Sequence, residues 1–166
     1  MNIKYATEED FKYIVDNDKH ISRELMLTKI REKEIIVVRD VANKNIGWLR
    51  YGYFWDNTPF MNMLYIDEDY RRKGIGKELV GFWENHMNNK GYDLVMTSTL
   101  SNEYAQHFYR KLGYKDSGSL LLENEPLEII FTKKIKIKSE ELKMYKGRRN
   151  IYIIGGYRRI IWKSKL

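Results

Sequence analysis

The run FMNMLYIDEDYRRKGIGKELVGFWENHMNNKG, from Phe60 to Gly91, switches hydrophobic period at a basic, glycine-containing hinge. Before the hinge the apolar residues form a compact run ending at Ile66, the pattern of a buried strand. After it, Ile75, Leu79, Phe82, Trp83 and Met87 recur at helical spacing and line one face, and Gly91 closes the helix. YDLVMT then returns to a strand pattern, and SNEYAQHFYRKLGY predicts a second short helix closed by Gly113. A helix with one apolar face between two buried strands needs a sheet to pack on.

The flanks extend the same sheet. IKYA reads as a short strand, and Thr7 with Asp10 forms a capping-box pattern before a helix running to about Val15. A second helix is expected over about Ile21–Lys33, with Leu25 and Ile30 in its apolar stripe. EIIVVRD and NKNIGWLRYGYFW predict a pair of antiparallel strands across a turn, and Pro59 delays the next strand to about Phe60–Ile66. In the second short helix, Tyr104, Phe108 and Leu112 share a stripe, with Tyr109 beside it. KDSGSLLLENEPLEIIFTKKI supplies two further apolar runs broken by Glu123–Pro126. With 166 residues the chain supports one substantial core, and the pattern is a mixed α/β or α+β layer fold around one sheet.

Charge separates the chain into two parts. Residues 139–166 hold eight Lys or Arg and two Glu, whereas residues 1–138 hold 22 basic against 21 acidic groups. The net charge of +7 is thus a basic tail on a nearly neutral body, which argues against nucleic acid as the main partner. No cysteine is present, so disulfides, thiolate nucleophiles and thiolate metal sites are excluded. No apolar run reaches the roughly 20 residues of a membrane span, and the acidic start differs from a secretory signal. A cytoplasmic location is the default expectation. His20, His86 and His107 have no metal-ligand spacing, and no metal is expected.

The hinge has its own chemistry. Gly74 and Gly76 remove side-chain bulk where the chain enters the helix, whose first N–H groups lack helical partners. Arg71, Arg72, Lys73 and Lys77 surround them with positive charge, an arrangement suited to a diphosphate. A Walker loop is excluded because Gly76-Lys77 is followed by Glu78, and the third glycine of a dinucleotide fingerprint is missing. A solvated turn with a basic helix end is the alternative reading of the same residues.

RRKGIG, residues 71 to 76, resembles the acyl-coenzyme A loop of the GCN5-related N-acetyltransferase (GNAT) family, Arg/Gln-x-x-Gly-x-Gly/Ala. MLYIDEDY resembles that family's central strand, and NEYAQHFYRKLGY its Asn…Ala…Phe-Tyr…Gly-Tyr/Phe block. The two blocks stand in the family's order, and the resemblance covers roughly residues 1 to 135. It implies a mixed α+β fold, with a mostly antiparallel, strongly twisted sheet of about seven strands and helices on both faces. It also implies acetyl transfer from acetyl-coenzyme A to a primary amine by direct attack. Cofactor contacts would come from Leu64, Tyr65, Ile66, Arg71, Arg72, Lys73, Gly74, Ile75, Gly76, Lys77, Asn102 and Tyr109. An N–H near Leu64 would polarise the acetyl carbonyl, and Tyr109 would protonate the departing thiolate. The general base stays open among Asp56, Glu123, Glu125 and Glu128. Trp55, Asp56, Glu123 and Glu125 are candidates for the acceptor side, with Phe54 and Phe60 as further pocket walls or simple packing residues. The acceptor is a small-molecule or peptide amine.

The expected domain is residues 1–138, followed by a basic extension over 139–166. IYII and YRRIIW flank Gly155-Gly156, which suits a β-hairpin packed on the body or at the interface of a homodimer. Two other functions compete with the enzyme. One is a nucleic-acid or polyanion module using Arg148, Arg149, Arg158 and Arg159; the other is a coenzyme A-binding protein without catalysis.

Overall fold

The computed structural model describes residues 1–135. Chain order is β1 (Asn2–Tyr5), α1 (Phe11–Asn17), α2 (Arg23–Arg31), β2 (Ile35–Arg39), β3 (Asn45–Phe54), β4 (Thr58–Ile66), α3 (Ile75–Asn89), β5 (Leu94–Leu100), α4 (Ala105–Lys111), β6 (Lys115–Leu120) and β7 (Glu128–Lys134). Short 3₁₀ turns at Glu8–Asp10 and Glu68–Tyr70 precede α1 and α3. The seven strands form one sheet in the order β1-β2-β3-β4-β5-β7-β6. Only β4 and β5 are parallel; the other pairs are antiparallel. This is the expected mixed α+β architecture, with helices on both faces.

Two apolar layers hold it. On one face Ile14, Val15, Met26 and Ile30 of α1 and α2 pack on Ile35, Val37 and Trp48. On the other, Ile75, Leu79, Val80, Trp83 and Met87 of α3 and Tyr109 of α4 pack on Ile36, Leu49, Tyr51, Met61, Val95 and Phe131. The alternation of Ile36 and Val38 with Ile35 and Val37 follows from the two-residue period of a strand buried on both sides. Two ion pairs are buried beneath α1: Asp10 with Arg39, and Asp18 with Arg50 at 2.9 Å. Burial by itself would favour a neutral Asp10. The N–H of Thr7, the Asn45 amide and the Arg39 guanidinium together outweigh it and hold the carboxyl below its ordinary range.

Several local expectations change. Leu25 is exposed, and Met26 takes its place in the core because α2 begins at Arg23, capped by Ser22, and turns that face inward. Pro59 lies within β4, opposite Tyr53, at the strand's start where a missing N–H is tolerated. Tyr104 is 83% exposed: α4 begins only at Ala105, so the stripe runs through Phe108, Tyr109 and Leu112 instead. The Leu120–Leu122 run is not a buried strand; β6 is the polar edge segment KDSGSL, and all three leucines are exposed. The expected boundary at residue 138 and the hairpin about Gly155-Gly156 lie outside the described residues.

Candidate active site

The site grows from a break in strand pairing. β4 and β5 pair only at Phe60 with Met96 and Met61 with Thr97. Beyond them β4 stays on β3 but leaves β5, and the register between β3 and β4 slips by one residue at Asn62. This bulge places Met61, Leu64 and Ile66 on the α3 face and Met63 and Tyr65 on the α1–α2 face. Asp67 N–H donates to the Ile46 carbonyl at 3.0 Å, which makes Ile46–Asp67 a hydrogen-bonded pair. In an antiparallel ladder the bonded pairs alternate, so Trp48–Tyr65 and Arg50–Met63 are bonded as well. Leu64 and Ile66 therefore turn their backbone N–H and C=O groups away from β3, into the gap left by β5. The Ile66 carbonyl accepts from Arg71 Nε at 2.8 Å.

The turn leaving β4 is held from several sides. Tyr13 donates to Asp67 at 2.7 Å, and Tyr70 donates to Asp40 at 3.1 Å. Arg72 and Gly74 both adopt left-handed backbone, with φ of 59° and 84°. Such residues beside a helix start turn successive N–H groups into a concave anion cradle. A Cβ on Gly74 would meet nothing within 4 Å, so this glycine is required for its conformation, not for space. A Cβ on Gly76 would lie 3.4 Å from the Phe108 ring and 3.9 Å from Leu64, so α3 approaches the floor of the gap closely. Arg71, Arg72, Lys73 and Lys77 are all exposed at this end. Arg71 is partly committed, through Ile66 and a 3.5 Å pair with Glu68, and Lys73 lies over the Tyr70 ring. Ile75 is buried and contributes its backbone alone to this surface.

Tyr109 lies at the closed end of the gap. Thr97 of β5 donates its hydroxyl to the Met61 carbonyl at 3.0 Å, at the last paired position of β4 and β5. The Tyr109 hydroxyl sits beside that threonine, while its ring packs on Phe108, Tyr114 and Phe131. Burial pushes the phenol up to about 12, with the Thr97 hydroxyl acting in the opposite direction. Asn102 is exposed in the β5–α4 turn, near the mouth. Ser101 N–H donates to the Leu127 carbonyl at 2.7 Å, so the β6–β7 loop with exposed Glu123 and Glu125 borders this same end. Trp55 and Asp56 form the tip of the β3–β4 hairpin, both with positive φ, at the opposite end of the sheet. Strand direction separates them: β4 runs from that tip toward the gap, so Trp55 and Asp56 cannot line one pocket with Glu123 and Glu125. Phe54 and Phe60 stack near the tip, away from the mouth.

Sequence reasoning missed Thr97 and Asn62. A threonine inside a buried strand has no distinguishing signal, and a bulge depends on the register of a partner strand. Among the described residues no group of three or more His, Asp or Glu side chains is arranged to hold a metal ion, and no helix is long and apolar enough to cross a membrane.

β4 thus parts from its parallel neighbour beside a helix entry that carries glycine and arginine. The sequence pattern of the Acetyltransferase (GNAT) family matches residues 4–114, and the chain belongs to that family. Its fold is similar to a GNAT-family acetyltransferase from Bacillus cereus ATCC 10987, at 24% identity and a TM-score of 0.65, covering 80% of this chain and 96% of that one. Ard1 from Thermoplasma volcanium superposes with a TM-score of 0.70 at 16% identity, covering 81% and 97%. An aminoglycoside 6'-N-acetyltransferase complexed with coenzyme A gives 0.65 at 18% identity, covering 81% and 97%. No curated protein matches the chain by sequence.

Proposed function

We propose that this protein transfers an acetyl group from acetyl-coenzyme A to a primary amine. The observation that carries the reading is the gap itself: Leu64 and Ile66 turn backbone groups toward it, and it opens onto the left-handed cradle at Arg72–Gly74. The residues fit the cosubstrate. The exposed N–H groups at the start of α3, with Arg72 and Lys77, suit a pyrophosphate, and the parted edge of β4 suits the amides of a pantetheine arm. Coenzyme A complexes of relatives with this fold support the choice. Acetyl-coenzyme A supplies a thioester carbonyl open to attack by an amine. The Leu64 N–H serves the carbonyl oxygen as it gains charge, and Tyr109 holds a proton for the sulfur as it leaves. We assign the amine's proton, directly or through water, to Glu123 or Glu125, because the β6–β7 loop that carries them borders the mouth.

Titration calorimetry of the whole chain with acetyl-coenzyme A tests this reading. Saturable binding is expected; none, in folded protein free of carried-over ligand, overturns it. Gly74→Glu brings negative charge to the cradle and weakens binding, whereas Gly74→Asn, neutral and tolerant of left-handed backbone, retains most of it. Equal affinities for the two variants would remove the cradle from the site. Gly76→Glu also weakens binding, but its Cβ would touch the Phe108 ring at 3.4 Å whereas one on Gly74 meets nothing within 4 Å, so Gly74 is the cleaner position.

A further inference from the structure

The helix-covered face of the sheet stops halfway across. The cluster made by α1 and α2 takes residues from β2, β3 and β4 but none from β5, β6 or β7. Strand parity shows what those strands present on that side. Val95, Ile129 and Phe131 belong to the α3–α4 layer, so Met96, itself buried, and the half-buried Ser98, Leu100, Glu128, Ile130 and Thr132 face the other way. Leu120 pairs with Glu128 and joins them. At one end of this open face stand the stacked rings of Phe54 and Phe60, with Trp55, 76% exposed, tilted against Phe54. At the other, exposed Leu121, Leu122 and Leu127 alternate with Glu123 and Glu125. The surface is therefore apolar at both ends and acidic at the second, and among the described residues no helix packs over it.

The chain itself offers an occupant. β7 ends at Lys134, paired with Leu94, and the Ile135 N–H donates to the Asp93 carbonyl at 2.8 Å. Phe60 pairs with Met96 two residues further along β5, so the chain departs level with the aromatic hairpin tip, two strands away. Strands lie about 4.8 Å apart, which puts that exit roughly 10 Å from β4. The seven residues of β7 span roughly 20 Å, within reach of even a short extended segment at about 3.3 Å per residue. Residues 139–166 carry eight basic against two acidic side chains and two strongly apolar stretches, IYII and IIW. Their charge complements the glutamates, and their apolar content suits a surface of aromatic and leucine side chains. We propose that residues 139–166 dock on the open face of β4–β5–β7–β6 in the same chain, between the Phe54–Trp55–Phe60 tip and the Leu120–Glu128 loop. The assignment rests on the sheet face, the exit point and the charges; it shares Glu123 and Glu125 with the site proposed above, so its test reads proximity and not activity.

The absence of cysteine makes a direct test available in the full chain. One cysteine replaces Ile153 or Ile161, and a second replaces Ser98 or Leu120 on the open face or, as control, exposed Glu78 on α3. Short bismaleimide cross-linking at low protein concentration, read by peptide mass mapping, is expected to join the tail to the open-face positions within one chain, several-fold above the Glu78 control. Adding Glu123→Lys and Glu125→Lys lowers that yield, with circular dichroism confirming the fold. Links that occur only between chains would show a second copy's tail on the face and overturn the proposal. Yields equal to the control, or unmoved by the charge reversal, would overturn it too.

Discussion

The two halves of β4 share one strand and meet opposite fates. From Phe60 to Met61 it has partners on both sides, and Met61 is buried in the core. From Leu64 to Ile66 it keeps β3, loses β5, and its side chains are only half-buried. The first half is structural because its backbone groups are spent on neighbours. The second gains a capacity for ligands because the Leu64 groups and the Ile66 N–H face away from β3 without a strand partner, while β3 and the anchored turn hold them in place. A binding edge of this kind needs no unusual side chains; it needs a neighbour that diverges, a bulge that sets the parity, and glycine where the chain turns away.

Tyr109 stands where the halves divide, and its removal should separate them most sharply. Tyr109→Phe keeps the ring that packs on Tyr114 and Phe131 and deletes only the hydroxyl. The rate of acetyl transfer in single-turnover measurements is expected to fall by about 10²–10⁴, with cofactor affinity near normal. With its phenol pushed up to about 12, Tyr109 stays protonated well past neutral pH. Its loss of the proton would lower the rate only as the pH approaches that value, so an alkaline limb centred near pH 9 belongs to another group. An unchanged chemical rate in Tyr109→Phe would leave the residue a packing role.

The junction is held from the other face by Asp18 and Arg50, the latter paired with Met63 just beside the bulge. Both side chains are almost fully buried. Asp18→Asn leaves a guanidinium without its counter-charge and should cost about 3–5 kcal/mol in chemical denaturation. Adding Arg50→Met is expected to recover part of that loss, because no charge then remains buried. A double variant no more stable than the single one would show that shape at the bulge, not charge, is what the pair secures.

Thr97→Val tests the closed half. The shape is kept while the hydroxyl that reaches the Met61 carbonyl is lost, leaving a buried acceptor short of a donor. Destabilisation of about 1–3 kcal/mol is expected. The Tyr109 phenol, deprived of the neighbour that lowers it, should titrate higher still by ultraviolet absorbance. Protection of the Met96 and Thr97 amides from hydrogen exchange should drop while that of β2 holds; a uniform drop would mean that this pin is not local.

How much of this was readable beforehand follows from where each signal resides. The entry to α3 was legible because Gly74 needs a positive φ and Ile75, Leu79, Trp83 and Met87 declare a helix face within one short window. The capping box at Thr7 and Asp10 was legible for the same local reason. The resemblance carried the cofactor role of Leu64–Ile66; the parting of β4 from β5 behind that role depends on two strands at once, and no single strand announces it. The exposures of Tyr104 and Tyr109 escaped because Tyr104 is the cap before α4 and not part of its packed face, while Tyr109, next to Phe108, is covered by Tyr114 and Phe131 from the following segments. Leu120–Leu122 escaped because an apolar run signals a buried strand only when something covers it. The separation of Trp55 and Asp56 from Glu123 and Glu125 follows from strand direction, a property of the assembled sheet.

Arg72 should give the smallest effect, at the far end of the open half. Its side chain is exposed, and its left-handed backbone costs roughly 1–2 kcal/mol for a residue other than glycine. Arg72→Gln keeps that backbone cost and removes the charge. Affinity for acetyl-coenzyme A is expected to fall by less than tenfold at low ionic strength, since one exposed charge contributes about 1 kcal/mol or less. The difference should fade as salt is raised, because the remaining cradle is made of backbone amides that salt screens less. Arg72→Gly removes the charge and the backbone cost together. Relief of strain is then largely offset by the greater freedom of glycine in the unfolded chain, roughly 0.5–1 kcal/mol, so the melting temperature should rise only slightly. The two variants must lose the same affinity if the guanidinium acts on the phosphates. If Arg72→Gly binds as tightly as the parent while Arg72→Gln does not, the loop's conformation and not its charge governs the open end.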